Sequence, residues 1–197
     1  MHDSESLRKA FGYFYPHELS LLKSLPDLIS HSTCVAVNIG AGAGTSGLAF
    51  LESRADLILH TVDITGASSP FGCLHAEREV CQAAGYVLGE RWFQYYMDSK
   101  QLSIQWQGGP VDIVFIDGDH SYEGAGGDIM GWLPHIRSGG FMAVHDYRKQ
   151  DVVITDDGDV RPHPMQWPGV DEAVDNYLRS QFPVFALVES LIVFKVE

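Results

Sequence analysis

The last two apolar runs of the chain, residues 184–188 and 191–196, are separated only by Glu189 and Ser190. Two residues are too few for a helical crossover, so these runs must fold as an antiparallel hairpin. Everything upstream has the opposite character. Apolar runs at 34–39, 57–63, 92–97, 111–116 and 141–144 alternate with helix-like segments at 45–53, 74–85 and 125–136, and a further helix-like segment, 170–181, precedes the hairpin. Strands alternating with helices predict a parallel, doubly wound sheet. The central runs are continuously apolar, which fits strands covered on both faces. The expected architecture is therefore α/β: a Rossmann-like doubly wound seven-stranded sheet, mostly parallel, with a C-terminal antiparallel hairpin at its edge.

A length of 197 residues favours one domain, 1–197, large enough to bury a core without staples. A hydrophobic content of 45% with 20% charged residues is that of a folded soluble chain rather than a disordered one. The formal net charge of −13, with no basic block, argues against a nucleic-acid partner. Three cysteines, Cys34, Cys73 and Cys81, are an odd number without metal-type spacing, and Cys34 and Cys81 fall in apolar or helical context. They read as free thiols in a reducing compartment. No signal-type apolar stretch opens the chain and no apolar run is long enough to span a bilayer, so the expectation is a cytoplasmic protein without a membrane partner.

Two segments flank the expected sheet. Residues 1–33 read as helical over 5–29 with breaks near Pro16 and Pro26, either packing on the sheet edge or serving as a lid through Phe11, Tyr13, Phe14 and Tyr15. Residues 148–168 form a long polar stretch following a strand's C-terminal end, where doubly wound sheets place their sites. A loop of that length is expected to recognise substrate or to be disordered.

Two motifs carry chemistry. In VAVNIGAGAGTSG a strand runs into Gly40, Gly42 and Gly44, and Thr45 opens the helix that follows. Glycines permit a sharp turn and close approach of a ligand to the backbone, and the helix N-terminus offers free N–H groups. Asp63 closes the next strand, at the usual place for a carboxylate that holds ribose hydroxyls. Together these indicate a nucleotide-like cofactor. The second motif, FIDGDHSYEG, ends a strand on Asp117 with His120 three residues later, and the following strand ends on His145-Asp146. Neighbouring parallel strands would bring Asp117, His120, His145 and Asp146 together. Carboxylates with imidazole suit a divalent ion such as Mg²⁺ or Mn²⁺, which could orient an acceptor hydroxyl while His120, with an ordinary imidazole pKa of about 6.5, removes its proton.

The glycine spacing is G-x-G-x-G, not the G-x-G-x-x-G of dinucleotide folds. It resembles the first motif of class I S-adenosylmethionine-dependent methyltransferases. FIDGDHSYEG followed by GGFMAVHDY is similar to small bacterial O-methyltransferases, namely the macrocin and mycinamicin sugar O-methyltransferases and the cephalosporin-hydroxylase-like proteins. More distantly it resembles the catechol and caffeoyl-CoA O-methyltransferases. The resemblance implies S-adenosylmethionine as cofactor, held by Asn38, Gly40, Gly42, Gly44, Thr45 and Asp63, with Asp98 and Ser99 at the adenine. It implies Asp117, His145 and Asp146 as metal ligands and His120, with Asp117, as the catalytic pair. Asn38 stands where the family usually carries an acid, and His145 where it usually carries a carboxylate. The latter shifts metal preference towards Mn²⁺, Fe²⁺ or Zn²⁺.

The expected reaction is methyl transfer to a hydroxyl of a small molecule: a sugar, polyketide or phenol. No Asn/Asp-Pro-Pro-Tyr/Phe motif follows the fourth strand, which in this superfamily argues against methylation of an exocyclic base nitrogen. An NAD-dependent oxidoreductase and a non-catalytic cofactor-binding module are the alternatives, and a homo-oligomer is compatible with the sequence.

Overall fold

A computed structural model describes residues 14–65, 72–148 and 166–197, with 152–154 and 160–162 as backbone. Seven strands form one sheet: β1 (Val35–Ile39), β2 (Ile58–Asp63), β3 (Trp92–Tyr96), β4 (Val111–Ile116), β5 (Ile136–Val144), β8 (Val184–Val188) and β9 (Leu191–Lys195). Their order is β3-β2-β1-β4-β5-β9-β8. The pairs among β1 to β5 are parallel, and β9 runs antiparallel to both β5 and β8. The predicted hairpin is present, but its second strand is inserted beside β5, leaving β8 at the edge. A dinucleotide-binding sheet continues with a sixth parallel strand at this place, so the topology counts against the oxidoreductase alternative.

Alternation along the strands divides the core into two layers. Val37, Val114, Ile116, Met142, Val144 and Ile192 pack under α4 (Ser99–Gln105), α5 (Tyr122–Trp132) and α6 (Pro168–Tyr177). Ala36, Ile113, Phe115, Phe141, Ala143 and Val193 pack under α1 (Pro16–Ser24), α2 (Thr45–Ser53) and α3 (Cys73–Ala83). Every residue of β4 is buried, as a central strand with helices on both faces requires. Successive strand residues face opposite layers, so His145, two positions beyond Ala143, emerges on the α1 side.

Several boundaries differ from the sequence expectation. The helix expected over 125–136 begins earlier, at Tyr122, because Ser121 accepts the Gly124 N–H at 3.0 Å and caps it. It gives way to a short 3-10 turn, Leu133–His135, and β5 starts at Ile136 rather than at 141. Helix α4 was absent from the expected elements; Asp98 caps it by accepting the Lys100 and Gln101 N–H groups. Within the 148–168 stretch, β6 (Val152–Ile154) and β7 (Val160–Pro162) pair antiparallel, so this segment is not structureless throughout. Phe11 and Tyr13 lie outside the described residues. In the described part of the N-terminal segment, Phe14, Leu22 and Leu25 are core residues packed on the sheet. Cys34 and Cys81 are buried free thiols, and Cys73 is a free thiol at intermediate depth. No helix among the described residues is long and apolar enough to cross a membrane.

Candidate active site

The C-terminal ends of β1 to β4 surround a cavity of about 330 Å³. Of the residues singled out in the sequence, Gly40, Gly42, Asp63, Asp98, Ser99 and Asp117 line it, whereas Asn38, Gly44, Thr45, His120, His145 and Asp146 do not. Gly40 and Gly42 both have left-handed backbone, φ +89° and +50°. They differ in surroundings: a Cβ on Gly40 would collide with the Asp117 backbone carbonyl, whereas one on Gly42 would meet nothing within 4 Å. Asp63 ties the turn to β2. Its Oδ2 accepts the Ala41 N–H at 2.8 Å, and its Oδ1 accepts the Thr65 N–H at 2.7 Å and the Thr65 hydroxyl. Each oxygen of a carboxylate has two lone pairs, so capacity remains for a ligand in the cavity.

Asn38 is fully buried beneath the turn and donates from Nδ2 to Thr61 Oγ1 and Glu77 Oε1, both at 3.4 Å. Glu77, from α3, was not anticipated from the sequence. It is fully buried, and it accepts further bonds from the Thr61 hydroxyl at 2.8 Å, Gln94 Nε2 at 2.7 Å and Trp92 Nε1 at 3.2 Å. Burial without a cation pushes its carboxyl up to about 7 against the pull of these donors. An acid reaching in from a helix thus lies beside Asn38, but it is held in the interior and does not line the cavity.

Asp128, on α5, is a second missed acid. It lines the cavity, accepts a hydrogen bond from the Ser99 hydroxyl, and is pushed up to about 6 by burial. Its one sequence signal is a lone charge in an otherwise small and apolar stretch, GAGGDIM.

The acid–histidine cluster is assembled by backbone hydrogen bonds. Asp117 N–H donates to Ile39 carbonyl at 2.9 Å, and His145 N–H donates to Ile116 carbonyl at 3.0 Å. The ends of β1, β4 and β5 are thereby aligned, with Asp117 and His145 adjacent. Asp146 then takes a left-handed backbone, φ +61°, uncommon for a residue with a Cβ, and its carboxylate meets both histidines. His120 Nε2 lies 3.1 Å from Asp146 Oδ2 and 3.5 Å from Asp117 Oδ1. His145 Nδ1 lies 3.4 Å from Asp117 Oδ1 and 3.4 Å from Asp146 Oδ1. All four residues expected to converge do so. A fifth, Glu18 from α1, joins them: its Oε2 accepts from His145 Nε2 at 3.1 Å.

These charges set the protonation of the cluster. Burial opposes a cationic ring at both histidines, but the carboxylates outweigh it. His120 is raised to about 9 by Asp117 and Asp146, and His145 to about 10 by Asp117, Glu18 and Asp146. Burial also pushes Asp117 and Glu18 upward, yet the histidines hold both below the ordinary carboxylate range. The expectation of an unperturbed imidazole at His120 is therefore corrected: facing two carboxylates, the ring carries a proton at neutral pH.

The cluster also fits a divalent cation. Among the described residues the donor atoms of Asp117, His120 and Asp146 all lie within 4.8 Å of one another, a grouping that takes in the expected base His120 and not the expected ligand His145, whose Nδ1 lies 3.4 Å from each carboxylate. His120 Nε2 and His145 Nδ1 are buried and face carboxylates, yet neither makes an aligned hydrogen bond. Donors about 2.1 Å from one ion stand about 3.0 Å apart at a right angle and about 3.4 Å apart at a tetrahedral angle. The 3.1–3.5 Å nitrogen–oxygen separations fall in that range.

Trp167 stacks on His120 with ring centroids 4.4 Å apart, and both line a wider hollow with Tyr122 and Gly169 that shares Gly118 and Asp119 with the cavity. Tyr122 is a packing residue, its hydroxyl donating to that of Tyr177 at 3.0 Å. Trp92 and Trp132 are core, and Trp106 packs edge-on against Trp132.

Known proteins of the same architecture place this arrangement in context. A search of curated proteins finds no match. Among solved structures, a Staphylococcus aureus protein assigned as a caffeoyl-CoA O-methyltransferase is similar at a TM-score of 0.70, with 13% identity over 98% of this chain and 93% of that one. CalS11, a TDP-rhamnose 3'-O-methyltransferase of calicheamicin biosynthesis, is similar at 0.64, with 16% identity over 98% and 86%. The N-methyltransferase NodS from Bradyrhizobium japonicum, solved with S-adenosyl-L-homocysteine, is similar at 0.61, with 13% identity over 99% and 93%. At such identities these likenesses show the shared fold. The family model described as a methyltransferase domain matches residues 37–147, from the glycine turn through the acid–histidine cluster, and the chain belongs to that methyltransferase-domain family.

Proposed function

We propose that the protein is an S-adenosylmethionine-dependent O-methyltransferase, of the group resembling the sugar O-methyltransferases, that acts on a hydroxyl of a small molecule with the help of a divalent cation. One observation carries the reading. Two buried imidazole nitrogens face two carboxylates without an aligned hydrogen bond, beside a cavity at the strand ends where this fold binds its cofactor.

The cofactor would supply an electrophilic methyl group, and a cation, which Asp117, His145 and Asp146 would hold, would lower the pKa of an acceptor hydroxyl. The chain's own residues do the rest. Gly42 leaves the turn open to a ligand, and Asp63, which lines the cavity, retains one free lone pair on Oδ2. Asp98, Ser99 and Asp128 present polar groups at its β3 and β4 side. Asp117 borders the cavity and faces His120 and His145, so an acceptor at this carboxylate would lie next to the methyl-donor site. In-line displacement needs such alignment above all. His120 is the group placed to take the hydroxyl proton, its ring oriented by Trp167. A neutral His120 requires alkaline pH or a counter-charge at Asp117 and Asp146. An acceptor without negative charge suits a site this acidic.

Calorimetric titration with S-adenosylhomocysteine, followed by methyl-transfer assays on sugar and phenolic acceptors with and without Mg²⁺ or Mn²⁺, tests the reading. Binding of S-adenosylhomocysteine, and transfer that chelation suppresses, are expected. NADH binding in the absence of S-adenosylhomocysteine binding would overturn the proposal.

A further inference from the structure

Glu18 is a fully buried carboxylate contributed by the N-terminal helix, outside the strand-end motifs that build the site. Its four contacts divide cleanly. Oε1 accepts from Ser190 N–H at 2.8 Å and from the Ser190 hydroxyl at 2.7 Å, which ties α1 to the β8–β9 turn. Oε2 accepts from Tyr15 N–H at 2.9 Å, closing the helix start, and from His145 Nε2 at 3.1 Å. The first three contacts are structural, and the two from Ser190 would be met as well by a neutral acceptor. The fourth has a chemical consequence. A carboxylate facing Nε2 can only accept, so one ring proton stays on Nε2, and the proton that an incoming cation would displace is the one on Nδ1, whose lone pair then faces the site. That atom is buried, has no aligned hydrogen bond and lies 3.4 Å from both Asp117 and Asp146. Phe14 packs against the ring, with centroids 4.6 Å apart.

We propose that Glu18 is a positioning residue that fixes His145 as an Nδ1 donor towards Asp117 and Asp146, so that α1 sets the choice of cation at the site. The inference rests on the metal-assisted reading. A carboxylate behind a metal-binding imidazole fixes its tautomer and raises its basicity, and loss of such a partner lowers metal affinity about 10–100-fold. An imidazole donor favours Mn²⁺ or Zn²⁺ over Mg²⁺, which takes oxygen ligands. Glu18→Gln is the informative change. The glutamine oxygen can still accept from Ser190, while its amide, at the place of Oε2, gives up the Tyr15 N–H bond, donates to His145 Nε2 and drives the ring proton onto Nδ1.

The test titrates the full-length protein with Mn²⁺, Zn²⁺ and Mg²⁺ separately, by calorimetry and by ¹H–¹⁵N correlation of the histidine rings. The wild type should bind Zn²⁺ and Mn²⁺ more tightly than Mg²⁺, with His145 Nδ1 shifting on Zn²⁺ addition. E18Q should lose about tenfold or more in Zn²⁺ and Mn²⁺ affinity while changing little for Mg²⁺. Glu18→Asp should recover part of the loss. Ser190→Ala, which weakens the same tether on the other oxygen, should lower thermal stability without altering metal preference. If E18Q binds all three ions as the wild type does while Asp117→Ala abolishes binding, the role of Glu18 is overturned and the metal reading stands. If Asp117→Ala also leaves binding unchanged, the metal reading fails with it. Should E18Q not fold, the wild-type spectrum decides: an Nδ1 resonance of His145 that ignores Zn²⁺ overturns the proposal.

Discussion

Two buried carboxylates, Glu77 under the glycine turn and Glu18 behind the acid–histidine cluster, each accept hydrogen bonds from four groups, yet they titrate in opposite directions. Burial dominates at Glu77 and lifts it to about 7, because its donors are neutral. At Glu18 burial acts the same way but His145 more than offsets it. The difference lies in what each carboxylate faces. Glu77 is closed in by side chains of β1, β2 and β3 and works as a packing knot. Glu18 faces a ring whose other nitrogen points into the site. A fully satisfied carboxylate can therefore be either an interior brace or the back of a reactive group, and only the partner's far side distinguishes them.

The largest expected effect is at the open side of this comparison. Asp117→Ala should reduce methyl transfer by about 10³-fold or more and His120→Ala by about 10²–10⁴-fold, measured as kcat/KM at saturating cofactor. Wild-type activity in both variants would remove these residues from the chemistry. Next is the brace. The Glu77 carboxyl has a folded pKa of about 7 against an ordinary value of 4.5, so the folded state holds its proton longer than the unfolded one. Glu77 then costs nothing below about pH 4.5, and its cost grows as pH rises to about 7, reaching about 3 kcal/mol. Urea melts of wild type and Glu77→Gln across this range should show wild type losing about that much relative to the variant; parallel pH curves would refute the assignment.

Two glycines sharpen the contrast at smaller scale. Gly40→Ala forces a left-handed residue into the Asp117 carbonyl and should cost about 3 kcal/mol or more, while displacing Asp117 and so impairing the neighbouring region. Gly42→Ala has the same backbone strain and free space, so about 1–2 kcal/mol is expected. Its main effect should appear as weaker S-adenosylhomocysteine binding, since Gly42 lines the cavity. Equal losses in thermal denaturation would show that strain, not packing, governs this turn.

The parts read correctly from the chain are those with local physical causes. Apolar runs of strand length gave β1 to β4 nearly to the residue, and the two-residue gap at Glu189-Ser190 required a hairpin whatever lay around it. The Asp117, His120, His145 and Asp146 group followed from where neighbouring parallel strands end. The missed helix α4 carried a readable sign, Asp98 as its cap, but its seven residues are too few for a periodic pattern to stand out. Glu18, Glu77 and Asp128 left weaker traces. Each is a single acid on a helix, and a helical acid is ordinarily exposed. Burial of all three depends on which layer the helix covers, and no local pattern encodes that.

The sequence by itself determined the order of strands and helices, the glycine turn, and which residue types gather at the strand ends, because these depend on spacing along one chain. The tertiary structure alone decided the rest. Insertion of β9 beside β5 and the packing of Phe14, just before α1, over Phe115 and His145 are agreements between segments far apart in the chain. Those agreements changed an ordinary imidazole at His120 into a cation between two carboxylates. They also brought an acid 127 residues away to the back of His145.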